Sequence, residues 1–349
     1  MKKLGVASVM VAFVAMFGVG LMPSAKLKSG VASREIAANG KMKLFDEFHR
    51  YVLEDYDAKP TFSSFLPGVA GLYGKPVWSF YVNRGQGVAS FGSKTKEYPI
   101  LEFNAANKAY QLTSFVGFRT FLQAVRGGKT IDYEPFNPKA ARNLDSDDTD
   151  AEEEKPKRIM YVGPNEFEVK EINADIGLNT EVKYVVLPEE KFAALVRRVT
   201  FTNTGSSALS LSALDGLAQM EPVGGKLDWG LKQMGRTLEG WFGVYHADDT
   251  LTMPFYRMST EPTDDAAVKI EEAGHYCISF IEDDENDAKL LPIVYDTSKV
   301  FGQSTSLDEA QGLKISTVSD LVSGPQFGDA KTSSAFAALD SFDLASGGF

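Results

Sequence analysis

The sequence contains few residues that bind metals or form cross-links. Its 349 residues include one cysteine, Cys277, and three histidines. A single cysteine excludes an internal disulfide framework and a zinc site built from several cysteines. His275 and Cys277 would share one face of a strand, but a metal site would need further ligands. We therefore expect Cys277 to be a packed core residue, and we predict no metal site.

Basic charge and cofactor motifs are also scarce. The chain has 36 basic and 47 acidic residues, which gives a formal net charge of −11. Nucleic acid is not an expected partner, because its phosphates would be repelled in the absence of a basic patch. A neutral ligand such as a sugar is compatible with this charge. There is no P-loop, dinucleotide fingerprint or Ser/His/Asp order, so the sequence predicts no cofactor.

No carboxylate stands out as a catalytic acid. Glycosidic chemistry needs a carboxylic acid, and an apolar pocket is what raises the pKa of such an acid. Asp215 precedes a glycine, which is typical of a turn, and Glu102 alternates with apolar neighbours. Asp264 and Asp265 lie in a polar stretch. The sequence therefore predicts no catalytic residue.

The N-terminus carries a long uncharged apolar run. Two lysines precede residues 4–22, which carry no charge, and small residues follow at 23–25. This pattern predicts a signal peptide over 1–25, and hence the secretory pathway or the cell exterior. A membrane anchor is the alternative, because the run is close to the ~18–20 residues that span a bilayer. Residues 26–43 are rich in Lys, Arg, Ser and Ala, which leaves an organellar location open.

Residues 58–325 are predicted to form one mainly all-β domain of antiparallel sheets stacked as a sandwich. Short aromatic and β-branched runs alternate with glycine, proline and asparagine, as strands alternate with turns. The predicted strands are residues 77–82, 88–91, 100–103, 115–122, 181–187, 194–202, 208–214, 268–270, 276–281 and 292–295. A short helix is predicted over 42–53, in a linker of residues 26–57, because its apolar positions fall on roughly one helical face.

Two segments are predicted to lack regular structure. Residues 145–154 read DSDDTDAEEE. Such a like-charge block cannot offset the entropy of ordering it, so we expect a disordered acidic loop over 143–156. The block lacks the glycine and ligand spacing of calcium loops. The tail over 326–349, rich in Ser, Ala, Gly and Asp, is expected to be flexible.

The stretch NRGQG carries the candidate binding residues. Asn83, Arg84 and Gln86 stand between two strand-like runs, although a turn would need only Gly85 and Gly87. Arginine and amide side chains reach sugar hydroxyls or phosphate, and aromatic residues crowd both sides of this hairpin. Two alternatives follow: these side chains bind a ligand, or they hold neighbouring loops together.

Longer stretches of the chain resemble a known family. They read KPTFSSFLPGVAGLYGKPVWSFYVNRGQGVASFG, ILEFNAANKAYQL, GFRTFL, VVLPEEKFAALVRRVTFTN, LSALDGLAQMEPVG and MPFYRMS. These stretches resemble the N-terminal region of the glycoside phosphorylases related to cellobiose phosphorylase, closest to the subgroup that acts on β-1,3-glucan oligosaccharides. The resemblance covers about residues 58–325. It implies a β-supersandwich and a β-glucan oligosaccharide as ligand.

The resemblance also implies which parts of the machinery to expect elsewhere. In the full-length enzymes, an (α/α)6 barrel follows the sandwich. Inorganic phosphate is the co-substrate, and a carboxylic acid of the barrel protonates the leaving oxygen, with inversion. We therefore expect this chain to be inactive alone, with a second copy or a separate catalytic barrel as partner and Asn83, Arg84 and Gln86 near the substrate. The alternative is a non-catalytic exported or membrane-tethered protein that binds glycans or acts as a scaffold.

Overall fold

Antiparallel strands dominate the fold, as the sequence predicts, with 46% of the described residues in strands and 16% in helices. The computed structural model describes residues 6–16, 44–68, 70–138, 155–221, 227–246, 250–261, 266–282 and 288–346. The strands are β1 Val6–Met16, β2 Tyr51–Glu54, β3 Ser63–Leu66, β4 Val77–Val82, β5 Val88–Ser93, β6 Pro99–Leu101, β7 Phe118–Arg126, β8 Lys129–Tyr133, β9 Lys157–Val162, β10 Glu166–Asn173, β11 Leu178–Val186, β12 Ala193–Asn203, β13 Leu209–Met220, β14 Phe242–His246, β15 Pro254–Met258, β16 Gly274–Glu282, β17 Ala288–Leu290, β18 Ile293–Val294 and β19 Ser333–Leu344. The helices are α1 Ala106–Val116, α2 Leu227–Met234, α3 Thr297–Phe301, α4 Gln311–Ile315 and α5 Val318–Ser323.

The strands form three sheets. The large sheet has the order β14-β15-β16-β1-β12-β11-β10-β9-β2, with β17 also paired to β16. The five-stranded sheet has the order β18-β19-β13-β7-β8, and the four-stranded sheet has the order β3-β4-β5-β6. Within the described ranges, every pair of neighbouring strands is antiparallel. The prediction of antiparallel sheets is therefore confirmed.

The main core is shared by all three sheets. Buried and half-buried residues alternate along β10 and β11, which is the pattern of a sheet with one face in a core. Leu122 of β7 and Leu211 of β13 belong to this main core. Phe121 and Leu214, on the same two strands, belong to a second cluster with residues of α3, α4 and α5. Each face of the five-stranded sheet is therefore covered.

Helix α1 covers the four-stranded sheet and begins where the sequence predicted only loop. Ala109 of this helix packs with Phe80, Val82 and Ala89 in a third apolar cluster. The helix also takes the first two residues of the strand predicted over 115–122, and β7 starts only after Gly117. The residues ANKAYQL include several good helix formers, which explains why a helix forms here.

The predicted helix over 42–53 is wrong. The Asp46 carboxylate accepts hydrogen bonds from the backbone amides of Phe48 and Arg50, each at 2.9 Å, and His49 adopts a positive φ of 58°. Such local side-chain bonds compete with the helix for backbone groups. The chain then enters strand β2, which pairs with β9.

The predicted flexible tail is also wrong over most of its length. Residues Ser333–Leu344 form β19, which lies between β18 and β13 in the five-stranded sheet. Its first seven residues are all buried. Pairing with β13 and β18 orders this segment, and Gly216 of β13 lies against the carbonyl of Ala335 with no room for a Cβ atom.

Two other predicted segments have different outcomes. The acidic loop predicted over 143–156 lies, except for its last two residues, outside the described residues.

Residues Val6–Met16, part of the predicted signal peptide or anchor, form β1 between β12 and β16. Among the described helices, none is long and apolar enough to cross a membrane. The cleavage of residues 1–25 and the location of the protein stay predictions.

Candidate functional site

The NRGQG hairpin points into the protein. It joins β4 to β5, and Gly85 and Gly87 have positive φ angles of 51° and 88°. Glycine adopts these angles without strain, because it has no Cβ atom. Gly87 also lies so close to the ring of Phe167 on β10 that a Cβ atom would clash with it. The tip of the hairpin is therefore packed against the large sheet.

The Asn83 side chain is fully buried, and its hydrogen bonds go to one neighbouring segment. Its oxygen Oδ1 accepts from the amide of Phe62 at 3.0 Å. Its nitrogen Nδ2 donates to the carbonyls of Tyr56 at 2.8 Å and Pro60 at 3.0 Å. Both amide hydrogens thus have carbonyl partners, and the side chain fastens the hairpin to residues 56–62.

Gln86 belongs to a buried polar cluster that connects the three sheets. We name Gln86, Thr120, Arg197 and Asp215 the buried junction; each is at most 2% exposed. Gln86 donates from Nε2 to Thr120 Oγ1 at 2.9 Å and accepts at Oε1 from Arg197 Nη2 at 2.5 Å. Thr120 in turn donates to Asp215 Oδ1 at 2.6 Å. Every side chain of the cluster therefore has a partner within it.

An ion pair between two sheets lies at the centre of the buried junction. Arg197 of β12 donates from Nη2 to Asp215 Oδ1 at 2.9 Å and from Nη1 to Oδ2, so that the pair has two points of contact. Burial opposes the charge on Arg197, but the attraction of Asp215 outweighs it and the pKa of Arg197 is raised. The pair therefore links β12 of the large sheet to β13 of the five-stranded sheet, and loss of one partner would leave the other charge buried without compensation.

Arg84 lies nearer to the surface than its two neighbours. It is half-buried, it donates from Nη1 to the carbonyl of Asn83 at 2.7 Å, and its guanidinium stacks 4.2 Å from the ring centre of Tyr110 on α1. The bonds of Asn83 and Gln86 fit the alternative in which the hairpin holds neighbouring segments together. The role of Asn83, Arg84 and Gln86 in ligand binding stays a prediction.

Asp215 does not lie in a turn, contrary to the sequence-based interpretation. It lies within β13, where Thr120 and Ala337 are its partners on the two neighbouring strands. The following Gly216 suggested a turn, but it is glycine because the backbone of β19 approaches so closely there. Glu102 is half-buried. Asp264 and Asp265 lie outside the described residues.

A cleft on another face offers the accessible polar groups that the hairpin lacks. It has a volume of about 270 Å³ and lies between β7–β8 and the segment that leads into α4. We name it the acidic cleft. Its lining residues are Phe121, Leu122, Asp132, Tyr133, Glu134, Asn137, Asp308, Glu309, Ala310, Leu313 and Lys314. Four carboxylates therefore face a single lysine.

Buried contacts beneath the acidic cleft fix the carboxylate of Glu134. Arg119 donates to both oxygens of Glu134, at 2.6 and 2.9 Å, and to the carbonyl of Asp308 at 3.1 Å. Asn137 donates to the same Glu134 carboxylate at 2.7 Å, and the Arg119 guanidinium lies 4.6 Å from the ring centre of Phe121. One buried arginine thus connects the two walls of the cleft and orients its central acid.

The chemistry of the acidic cleft is that of a hydrogen-bond acceptor site. Carboxylates accept hydrogen bonds from hydroxyl groups, and the half-buried ring of Tyr133 provides apolar surface beside them. Within the described ranges, no group of three or more His, Cys, Asp or Glu side chains is placed to hold a metal ion. Sequence reasoning missed this cleft, because its walls are about 170 residues apart in the chain and no local motif joins them.

A buried acid at the end of β13 was also missed. Glu221 is 0% exposed, its Oε1 accepts from Gln219 at 2.6 Å, and its Oε2 has no hydrogen-bond partner in the described part of the chain. Burial raises the pKa of Glu221 to about 7, and the Gln219 bond offsets this only in part. An acid directly after an apolar strand, in AQMEPVG, was the signal in the sequence. Its full burial separates this carboxyl from any surface ligand.

His275 and Cys277 are packed core residues. Both are 0% exposed, and burial lowers the pKa of His275 to about 3 and raises the pKa of the Cys277 thiol. The expectation of a buried core cysteine is therefore confirmed.

Comparison with known proteins adds no identity: no family model matches the chain, and no curated protein matches it.

Proposed function

We propose that this chain is a non-catalytic β-sandwich that binds oligosaccharides, as the sandwich region of glycoside phosphorylases acting on β-glucans does. The observation that carries the proposal is the acidic cleft, where the oriented carboxylate of Glu134 and the exposed Asp132 lie beside the half-buried ring of Tyr133. Sugars offer hydroxyl donors around an apolar ring face, and such a mixed surface suits both. The stretches that resemble the β-1,3-glucan phosphorylases suggest the class of sugar.

The proposal assigns no bond-breaking step to this chain. Phosphorolysis needs phosphate next to the glycosidic bond, and four carboxylates against Lys314 make the acidic cleft unfavourable for a phosphate anion. A partner would therefore supply the phosphate-binding site and the catalytic acid. Incubation of the purified chain with β-1,3-gluco-oligosaccharides and phosphate is expected to release no sugar 1-phosphate.

Calorimetric titration with β-1,3-gluco-oligosaccharides tests the binding function. Asp132→Asn is the test variant, because Asp132 is exposed and lines the acidic cleft. Asp343→Asn is the matched control, because Asp343 is also exposed, on β19 of the same sheet, and does not line the cleft. A lost charge-assisted hydrogen bond should weaken binding about tenfold for Asp132→Asn only. Absence of binding by the wild type, or equal binding by both variants, contradicts the proposal.

A contact with a second protein is the other candidate, and one loop favours it. Leu72 and Tyr73 are 81% and 76% exposed at the tip of a glycine-rich loop. Their backbone amides donate to the Glu189 carboxylate at 2.9 and 3.3 Å, which holds the tip in place. Preordered aromatic anchors are typical of protein contacts. If a second copy binds here, Tyr73→Ser should reduce self-association in sedimentation experiments and leave oligosaccharide binding unchanged.

A further inference from the structure

Strand β1 fills a slot between two strands that do not pair with each other. β12 pairs with β11 on its other side, and β16 pairs with β15 and β17. Since β1 is antiparallel to both neighbours, β12 and β16 run parallel to each other, about 9.6 Å apart, or two strand spacings. If β1 left, two facing rows of backbone N–H and C=O groups in the middle of the large sheet would lose their partners.

The slot accommodates a strand of about ten residues. β1 has ten register positions opposite β12 and nine opposite β16. The β1 sequence, VASVMVAFVAM, contains no charged residue.

We propose that the slot between β12 and β16 is a strand-acceptor site and that residues 6–16 of this chain are its occupant. A strand added to open sheet edges gains main-chain hydrogen bonds on both sides, which is the basis of strand-addition recognition. The same eleven residues cannot fill the slot while they span a bilayer or after they are removed as a leader. Retention of the N-terminal segment therefore completes the large sheet, and its loss opens the slot to another strand.

The slot also affects the buried junction. Val11 of β1 lies opposite Arg197 of β12 in the register and opposite Ser279 of β16. The backbone that carries the Arg197 guanidinium is therefore held by β1 on one side and by β11 on the other. Withdrawal of β1 is expected to loosen the position of the ion pair to Asp215.

The first test compares Val11→Pro with Val11→Ala in the full chain, with mass spectrometry to verify that the N-terminus is intact. Proline removes a backbone donor from a strand paired on both sides, whereas alanine keeps it. We expect the melting temperature of Val11→Pro to be lower than that of Val11→Ala by about 5 °C or more. Equal melting temperatures would overturn the proposal.

The second test adds a fluorescent peptide of residues 6–16, with lysines appended for solubility. It should bind Val11→Pro and raise its melting temperature, but it should not bind the wild type, whose slot is filled. A peptide with proline at the position of Val11 is the control and should not bind. If Val11→Pro does not fold, refolding with the peptide replaces the titration: recovery only with the unmodified peptide supports the proposal. Failure of that peptide to bind or to restore folding overturns it.

Discussion

The buried junction and the acidic cleft use the same kinds of side chain in opposite surroundings. In the junction, one carboxylate, Asp215, is matched by one guanidinium, Arg197, and Gln86 and Thr120 use the remaining positions. In the cleft, each of the four carboxylates also has a hydrogen-bond partner in this chain, but Asp132 and Glu309 are exposed. The junction is closed to solvent, whereas water or a ligand can reach these two carboxylates of the cleft.

This difference separates stability from binding. Removal of one member of a buried, satisfied pair leaves the other without hydration or partner, so the folded state is strongly destabilised. Removal of an exposed carboxylate leaves water to solvate its neighbours, so the folded state changes little. Arg119 lies between the two cases, since its buried guanidinium orients the cleft carboxylate of Glu134 from below.

The largest effect is expected in the buried junction. Arg197→Met should lower the free energy of unfolding by about 3–5 kcal/mol, because Asp215 would stay buried and uncompensated. Asp215→Leu should have a similar effect, because it leaves the arginine unpaired. Urea unfolding followed by fluorescence or circular dichroism measures both variants.

The double variant Arg197→Met/Asp215→Leu is the control for this prediction. It removes both charges together, so it should be less destabilised than the sum of the single variants by several kcal/mol. Additive single effects would show that the two side chains do not act as a pair, and the contrast between junction and cleft would then lose its basis.

A second large effect is expected at Glu221, which is as buried as the junction but, among the described residues, has no ion pair like that of Asp215. The pKa of Glu221 is raised to about 7 by burial, and Glu102 and Glu239 add to the shift whereas Arg236 opposes it. Glu221→Gln keeps the oxygen that accepts from Gln219 and removes the charge. At pH 8 this variant should be more stable than the wild type by about 3 kcal/mol.

The raised pKa of Glu221 determines how the stability of the protein changes with pH. Since the pKa of the folded state lies above that of the unfolded state, the unfolded chain releases this proton first as the pH rises. The contribution of Glu221 to stability is therefore intact below about pH 4.5 and is lost between there and about pH 7. Unfolding curves across this range should separate the wild type from Glu221→Gln only towards the upper end. The exposed Glu272→Gln should show no such separation.

A smaller difference is expected between neighbours in the NRGQG hairpin. Asn83→Ala leaves three backbone groups without their partner and should cost about 1–3 kcal/mol. Arg84→Ala mainly loses its stacking on Tyr110 and should cost about 1 kcal/mol or less. Urea unfolding of the two variants makes the comparison. A greater loss of stability for Arg84→Ala than for Asn83→Ala would show that Arg84 contributes more to the fold than Asn83 does.

The sequence predicted the strands of the sandwich better than the position of its polar groups. The predicted strands over 181–187 and 194–202 correspond to β11 and β12, whose alternation is local and can be seen in the chain itself, although β10, which alternates in the same way, was not predicted. The partners of Gln86 lie 34 and 111 residues away, so no local pattern could show that its amide points inward. For β19, small residues favoured a flexible tail, because the pairing with β13 and β18 that orders this segment is not local.

The smallest effect on stability is expected at the rim of the acidic cleft. Asp132→Asn and Glu309→Gln should each change the free energy of unfolding by no more than about 0.5 kcal/mol, because both side chains are exposed. The ion pair between Glu309 and Lys314 adds little, since about half of each side chain is exposed to solvent that screens it. Urea unfolding should show a smaller difference at ~0.5 M NaCl than at low salt, because the Debye length shortens to a few ångströms. A loss of more than about 1 kcal/mol in the free energy of unfolding of either variant would mean that the cleft carboxylates support the fold. It would contradict their assignment to a ligand-binding surface.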